Sequence, residues 1–324
     1  MDTLLAKLDD LFDSGANRFR DAPIAFFLLL PSLTILFMFA FLPMMYAFYM
    51  SLFGGKQGMG DFVGLGNYTD AFSSSAFWNS VLVTIYYVVG TVPITLLISF
   101  IVAYALYRIA FARGFFRTLY FLPYITSTVA AAMVWRVFYN TQTGYINAVL
   151  DKLGLPAQQW LLEPRGVLHL ITAGWIPHDI GPSLALCCIM LFDIWQGSGF
   201  MIVIFLAGLS AIPRELEEVA RIDGARSHQV LRHITLPLLS PTLFFLAIIG
   251  TIRAFQSFNS FYALTQGGGR TLGTTENLIL HIYANFYEYG FWGYGTAVAT
   301  LLSLAIMLLT LIQWRLIGRR VHYG

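Results

Sequence analysis

Six stretches of this chain, residues 24–50, 79–107, 115–138, 182–210, 239–264 and 292–316, are apolar over lengths that reach the roughly 20 residues a helix needs to cross a bilayer core. No water satisfies a backbone N–H or C=O inside lipid, so such stretches close on their own hydrogen bonds as α-helices. The expected fold class is therefore an all-α polytopic membrane protein with six transmembrane helices. Composition agrees, with 57% hydrophobic and 11% charged residues, where soluble domains average about 45–50% and 25%. Pro31, Pro43, Pro93 and Pro123 fall inside these stretches; neighbouring membrane helices re-satisfy the backbone groups they free. The run from Val167 to Ile176 is apolar but too short to span, and is expected to be external or interfacial.

The basic residues set an expected orientation. Lys7, Arg18, Arg20, Arg108, Arg113, Arg117, Arg214, Arg221, Arg226, Arg232, Arg315, Arg319 and Arg320 fall at one set of helix ends, against Lys56, Lys152, Arg165 and Arg270 at the other. Cytoplasmic loops carry the excess of Lys and Arg. Both termini and the loop near Glu218 are thus expected in the cytoplasm, in the inner membrane of a prokaryote. The longest external loop, 140–181, carries Trp160 and Trp175, which suit an interface or a cover for the outer mouth. Residues 1–22 read as a cytoplasmic amphipathic segment, with Leu4, Leu5, Leu8, Leu11 and Phe12 at helical spacing. Residues 23–320 read as the membrane domain and 321–324 as a tail.

Several function classes are disfavoured. A net charge of +2 is too small to suggest nucleic acid. Cys187 and Cys188 are adjacent within an apolar run, which gives neither a disulfide framework nor metal-ligand spacing. No Ser/His/Asp arrangement or carboxylate pair supports enzyme chemistry. Gly54-Gly55-Lys56-Gln57 lacks the spacing and hydroxyl of a phosphate-binding loop, and Gly267-Gly268-Gly269 falls on the external side.

The most informative polar stretch lies between the fourth and fifth spans, at 213–238. Pro213 suits a first helical position, and Glu215, Glu217 and Glu218 follow where the helix dipole favours acids. Val219 and Ile222 share a face, and Gly224 sits where a glycine ends a helix. Ser227 suits a cap for a second piece, with Val230, Leu231 and Ile234 as its apolar stripe and Pro237 as its stop. The expected product is a bent helical pair on the membrane surface, suited to the grip of a soluble partner.

Glu218-Val219-Ala220-Arg221-Ile222-Asp223-Gly224-Ala225, followed by Ile234-Thr235-Leu236-Pro237, resembles the E-A-A-x3-G-x9-I-x-L-P loop of ABC-importer permease subunits, with Val219 in place of the first alanine. Other segments resemble the sugar and glycerol-3-phosphate class of these permeases, of maltose-permease type. They are Phe62-Val63-Gly64-Leu65-Gly66-Asn67-Tyr68, Asp193-Ile194-Trp195-Gln196-Gly197, Leu206 to Pro213, and Leu264-Thr265-Gln266-Gly267-Gly268-Gly269, where Gly269 replaces a usual proline. The resemblance covers about residues 24–320. It implies the type I ABC importer permease fold with a cytoplasmic coupling helix between the fourth and fifth spans. The ATPase contact then falls on Glu217, Glu218, Ala220, Asp223, Gly224, Ala225, Ile234, Leu236 and Pro237.

The implied partners are a second, distinct permease, two ATPase subunits that bind ATP and Mg, and an extracytoplasmic solute-binding protein. The chain itself is expected to hold no cofactor. The implied solute is a carbohydrate, with glycerol-3-phosphate or a related polyol as the alternative and secondary transport as a further one. Carried over by motif, the translocation pocket comprises Asp193, Gln196, Gly197 and Phe200, and Gly250, Arg253, Ala254 and Ser257, with Trp195 as a further aromatic face. Asp193 and Arg253 are costly inside a span. Two arrangements are open for them: an ion pair that locks two helices, or a sugar site. Asn259 and Tyr262 read as packing near the outer end, and Arg136 as snorkelling.

Overall fold

The computed structural model describes residues 18–108, 113–172, 174, 175, 177, 180–265, 273–316 and 318, with side chains from residue 25 onward except that of Arg113. Most of the expected N-terminal segment, the glycine run at 267–269 and the tail at 321–324 lie outside the described residues. Within them the chain is helical, without a strand beyond two isolated bridges.

Helix α1 (Ala25–Met50) carries the first apolar stretch, with a π turn at Phe37–Phe41. None of its most apolar window is buried; it joins the bundle through Leu42–Met50, which packs on the last long helix. Helix α2 (Ser75–Arg108) has 34 residues, or about 50 Å at 1.5 Å per residue, and outruns the bilayer core. Its buried stripe, Tyr87, Thr91, Thr95, Ser99 and Ala103, recurs every four residues, and the small side chains after Tyr87 let neighbouring helices approach. Two of the stripe's hydroxyls are satisfied within the bundle. Thr95 donates to the Thr91 carbonyl at 2.7 Å, and Ser99 donates across to the Ser198 carbonyl at 3.2 Å.

The third stretch departs from a single straight span. It breaks into α3 (Arg113–Ile125) and α4 (Thr128–Phe138), bent by 94° at Thr126 and Ser127. Pro123 lacks an N–H and leaves a carbonyl of the preceding turn without its helical donor, which weakens the ladder there. Helix α5 (Leu184–Ser210) is the central element, half buried along its apolar window and packed along α2. Gly199 sets its approach to α3, because a Cβ there would collide with the Tyr120 carbonyl oxygen.

A short helix, α6 (Arg214–Ile222), separates α5 from α7 (Ser227–Phe255). Here the expected separate second piece is corrected. Ser227 is the first helical residue rather than the cap; the cap is Arg226, whose N–H donates to Gln229 Oε1 at 2.7 Å. Pro237 does not stop the helix. A π turn at Leu231–Thr235 precedes it and absorbs the lost proline donor, so the chain runs on into the membrane. The fifth span is accordingly shifted from 239–264: α7 ends at Phe255, and a separate helix α8 (Asn259–Leu264) follows. Helices α9 (Leu278–Tyr283) and α10 (Trp292–Leu316) complete the bundle.

Two apolar clusters run along α2 and α5. One holds Val83, Tyr87, Val92, Phe192 and Phe261; the other holds Ala103, Met201, Phe205, Leu209 and Leu246.

Candidate functional site

Between those two clusters lies a cavity of about 340 Å³, lined from α2, the α3–α4 break, α5, α7 and the α7–α8 break. Val92 of the first cluster and Met201 of the second form part of its wall. All eight residues assigned to the pocket by motif, Asp193, Gln196, Gly197, Phe200, Gly250, Arg253, Ala254 and Ser257, line it.

The two charged residues do not pair. Asp193 Oδ2 accepts from the Tyr87 hydroxyl at 2.6 Å and from Ser260 Oγ at 2.7 Å. Ser257 Oγ extends this chain, 3.2 Å from Tyr87 and 3.0 Å from Ser260. Arg253 instead donates to the Tyr124 hydroxyl at 2.9 Å, with its guanidinium 4.9 Å from the Phe200 ring centroid and 5.5 Å from that of Tyr124. Of the two arrangements left open, the ion pair is not formed; hydroxyls surround the carboxylate and rings surround the cation.

Broken helices build this site. After Phe255, Gln256 and Ser257 leave the helix, and the turn is tied by Asn277, whose Nδ2 donates to the Ser257 carbonyl at 2.7 Å. Irregular backbone at membrane depth is tolerated where it lines a cavity or is covered by protein. The break turns Ser257, Asn259 and Ser260 to the cavity. Asn259, expected to be ordinary packing, therefore belongs to the wall. Tyr262 does pack, its ring 5.1 Å from Phe258 and 5.5 Å from Tyr283. At the other break Gln196 Nε2 lies 3.5 Å from the Thr126 carbonyl, the outer limit of a hydrogen bond.

Gly250 keeps α7 close. A Cβ there would stand 3.0 Å from Met201 Cε and 3.4 Å from Val92 Cγ1. Trp195 is corrected: it does not line the cavity but packs on Trp135, at 5.3 Å between ring centroids, and on Phe192 at 6.1 Å. Residues of α2 were missed from sequence, above all Tyr87, Thr91 and Thr95. Their signal was the four-residue stripe of small and hydroxylated side chains. Thr91 Oγ1 is buried and has no hydrogen-bond partner among the described residues.

A larger cavity of about 860 Å³ lies between residues 54–76 and 276–294. Its central His281 is held within the chain, by Glu276 at 3.0 Å and the Tyr294 hydroxyl at 3.2 Å. The smaller cavity gathers polar groups from more helices.

On the basic end of the bundle, α6 carries Glu217, Glu218 and Ala220 and ends at Asp223. Gly224 has φ +82°, and Ala225 N–H donates back to the Ala220 carbonyl at 2.9 Å, the left-handed stop that glycine permits. Val219 and Ile222 are 56% and 83% exposed, an apolar face left open among the described residues. Ile234, Leu236 and Pro237 lie on the first turns of α7. In the opposite connection Trp160 is not a free anchor; its Nε1 donates to Asn147 Oδ1 at 2.8 Å, whereas Trp175 is 93% exposed.

Residues 63–323 match the model of the family described as binding-protein-dependent transport system inner membrane component. The chain belongs to this family. It is a multi-pass membrane permease, a transport component rather than an enzyme. The permease is 32% identical to the trehalose/maltose transport system permease protein MalF of Thermococcus litoralis, over 93% of its own length and 96% of that protein. It is 30% identical to the sn-glycerol-3-phosphate transport system permease protein UgpA of Agrobacterium fabrum, covering 94% and 98%. In fold it is similar to a chain of a bacterial ABC transporter that imports the acidic polysaccharide alginate, with a TM-score of 0.75, 21% identity and coverage of 93% and 96%.

Proposed function

We propose that this permease conducts a carbohydrate or related polyol through the cavity between α2, α5 and α7, as one of two permease subunits in an ATP-driven importer. The observation that carries the reading is that the hydroxyls of Tyr87, Ser257 and Ser260 around the Asp193 carboxylate line one cavity with the aromatic pair Tyr124 and Phe200. A polyhydroxylated solute needs both donors and acceptors for its hydroxyls and an apolar face for its carbons. The relatives named for trehalose/maltose and glycerol-3-phosphate support the same class.

In this reading α6 docks on an ATPase subunit, which holds ATP and Mg, in the cytoplasm with both termini. Its exposed Val219 and Ile222 supply the apolar contact and Glu217 and Glu218 the polar rim. The segment 140–181, with Trp175 exposed, meets a solute-binding protein on the other side.

The test is uptake of labelled solute into proteoliposomes carrying the permease with its partner permease and ATPase, with binding protein added outside. Uptake requiring ATP and binding protein is the expected result. Uptake by the permease alone, driven by an ion gradient, would establish secondary transport instead.

A further inference from the structure

We infer that the solute is anionic, a sugar or polyol bearing a carboxylate or phosphate that is met by Arg253. This rests on the transport reading above and narrows it to a substrate class.

Arg253 enters the cavity from the last turn of α7, and among the described residues it forms no ion pair with a carboxylate. A guanidinium offers five N–H donors. Tyr124 takes one, and no other protein acceptor among the described residues takes the rest. The cation rests on the Phe200 and Tyr124 rings, which support it without neutralising it. A charge is retained in a membrane interior where it is used, and a planar guanidinium fits a carboxylate or phosphate with two parallel hydrogen bonds.

Asp193 would oppose an anion if it stood beside Arg253. The two groups are instead held by different partners. Asp193 is engaged by Tyr87 and Ser260, on the α2 and α8 side. Arg253 lies over Phe200, whose backbone position is seven residues, or about 10 Å along the helix axis, beyond that of Asp193 on α5. Among the described residues, Asp193 and Arg253 are the only charged ones lining the cavity. The cavity thus holds its carboxylate and its cation on separate sets of partners. It suits a solute with its anionic group at Arg253 and its hydroxyls toward Asp193, Ser257 and Ser260.

Three labelled probes distinguish the cases in proteoliposomes carrying the full importer with its binding protein: a hexuronate disaccharide, glycerol 3-phosphate and a neutral glucose disaccharide. ATP-dependent uptake of the hexuronate identifies a carboxylate solute, and uptake of glycerol 3-phosphate a phosphate solute. Arg253→Gln should then lower that uptake by roughly ten- to a hundredfold, the range of a lost charge-assisted hydrogen bond. Arg253→Lys keeps the cation and should transport the anion several-fold faster than Arg253→Gln, which a merely misfolded site would not do. ATP-dependent uptake of the neutral sugar alone would overturn the inference and leave the importer reading standing. So would anion uptake through Arg253→Gln within twofold of the unaltered permease. Failure of every probe to enter under ATP would overturn both.

Discussion

The Tyr87 hydroxyl lies 2.6 Å from Asp193 Oδ2 and 3.2 Å from Ser257 Oγ, so one phenol on α2 joins α5 to the break between α7 and α8. This contact spans 106 residues of sequence and fixes the geometry of one end of the cavity. It also explains how Asp193 resides in the bundle without Arg253: hydroxyl donors, rather than a counter-charge, stabilise it.

The first prediction concerns this network. Tyr87→Phe removes one of two donors to Asp193 Oδ2 and should destabilise the permease by about 1–3 kcal/mol, the cost of an unsatisfied buried partner. Tyr87→Phe and Asp193→Asn should be coupled in a double-mutant cycle read by thermal unfolding in detergent. Asp193→Asn and Arg253→Gln should instead be additive within about 0.5 kcal/mol, because they share no partner. Coupling well above that between the two charged residues would mean that they pair.

Gly224 supports a second prediction. At φ +82° it ends α6 in the left-handed region, and a Cβ there would meet no heavy atom within 4 Å. Substitution is therefore limited by backbone strain and not by space. Gly224→Val should impair ATP hydrolysis stimulated by solute and binding protein, with membrane insertion retained. Gly224→Asn should impair it far less, since asparagine visits this region more readily than a β-branched residue. Equal behaviour of the two variants would show that the conformation at Gly224 is not what coupling requires.

A third prediction follows from Glu163 and Arg165, in the connection between α4 and α5. Arg165 holds Glu163 with two hydrogen bonds of 2.7 Å, and this lowers the Glu163 carboxyl below its ordinary value despite the opposing effect of burial. A depressed folded pKa stabilises above the unfolded value, about 4.3 for glutamate, and that stabilisation is lost as pH falls through the folded pKa. The Glu163 and Arg165 carbonyls accept from Ala185 and Leu184 at the start of α5. Hydrogen exchange at those two amides, corrected for intrinsic rate, should be flat from about pH 5 to 8 and rise only below about pH 4. Arg165→Gln should move the onset upward. An unchanged onset would mean that the pair does not order this segment.

Much of the bundle is legible in hydropathy, because backbone hydrogen bonding in lipid leaves a long apolar run little choice but a helix. The breaks are less legible. Pro123 marks a weak point, but no residue pattern there specifies a 94° bend. Pro237 misleads in the other direction, since a π turn just before it lets the helix continue. At the site, Asp193 and Arg253 stand out because charge is costly in a span, whereas their partners do not. Tyr87 and Tyr124 read as ordinary span residues until the fold brings them to the charges.

Thr91 carries the last prediction. Threonine in a membrane helix usually donates to the carbonyl four residues earlier, as Thr84 and Thr95 do on the same helix at 2.7 Å. Thr91 Oγ1 is buried and makes no such bond, although its residue lines the cavity. A buried hydroxyl without a partner costs about 1–3 kcal/mol, and replacing it with an apolar group of the same shape relieves that cost. Thr91→Val should therefore leave thermal stability unchanged or raise it. If the hydroxyl is kept to meet a hydroxyl of the solute, the same substitution should lower ATP-dependent uptake by roughly five- to tenfold, the worth of one neutral hydrogen bond. Thr91→Ser, which keeps the oxygen, should largely restore uptake. Gain in stability with no loss of uptake would assign Thr91 to packing alone; loss of stability would show that its hydroxyl is satisfied within the protein.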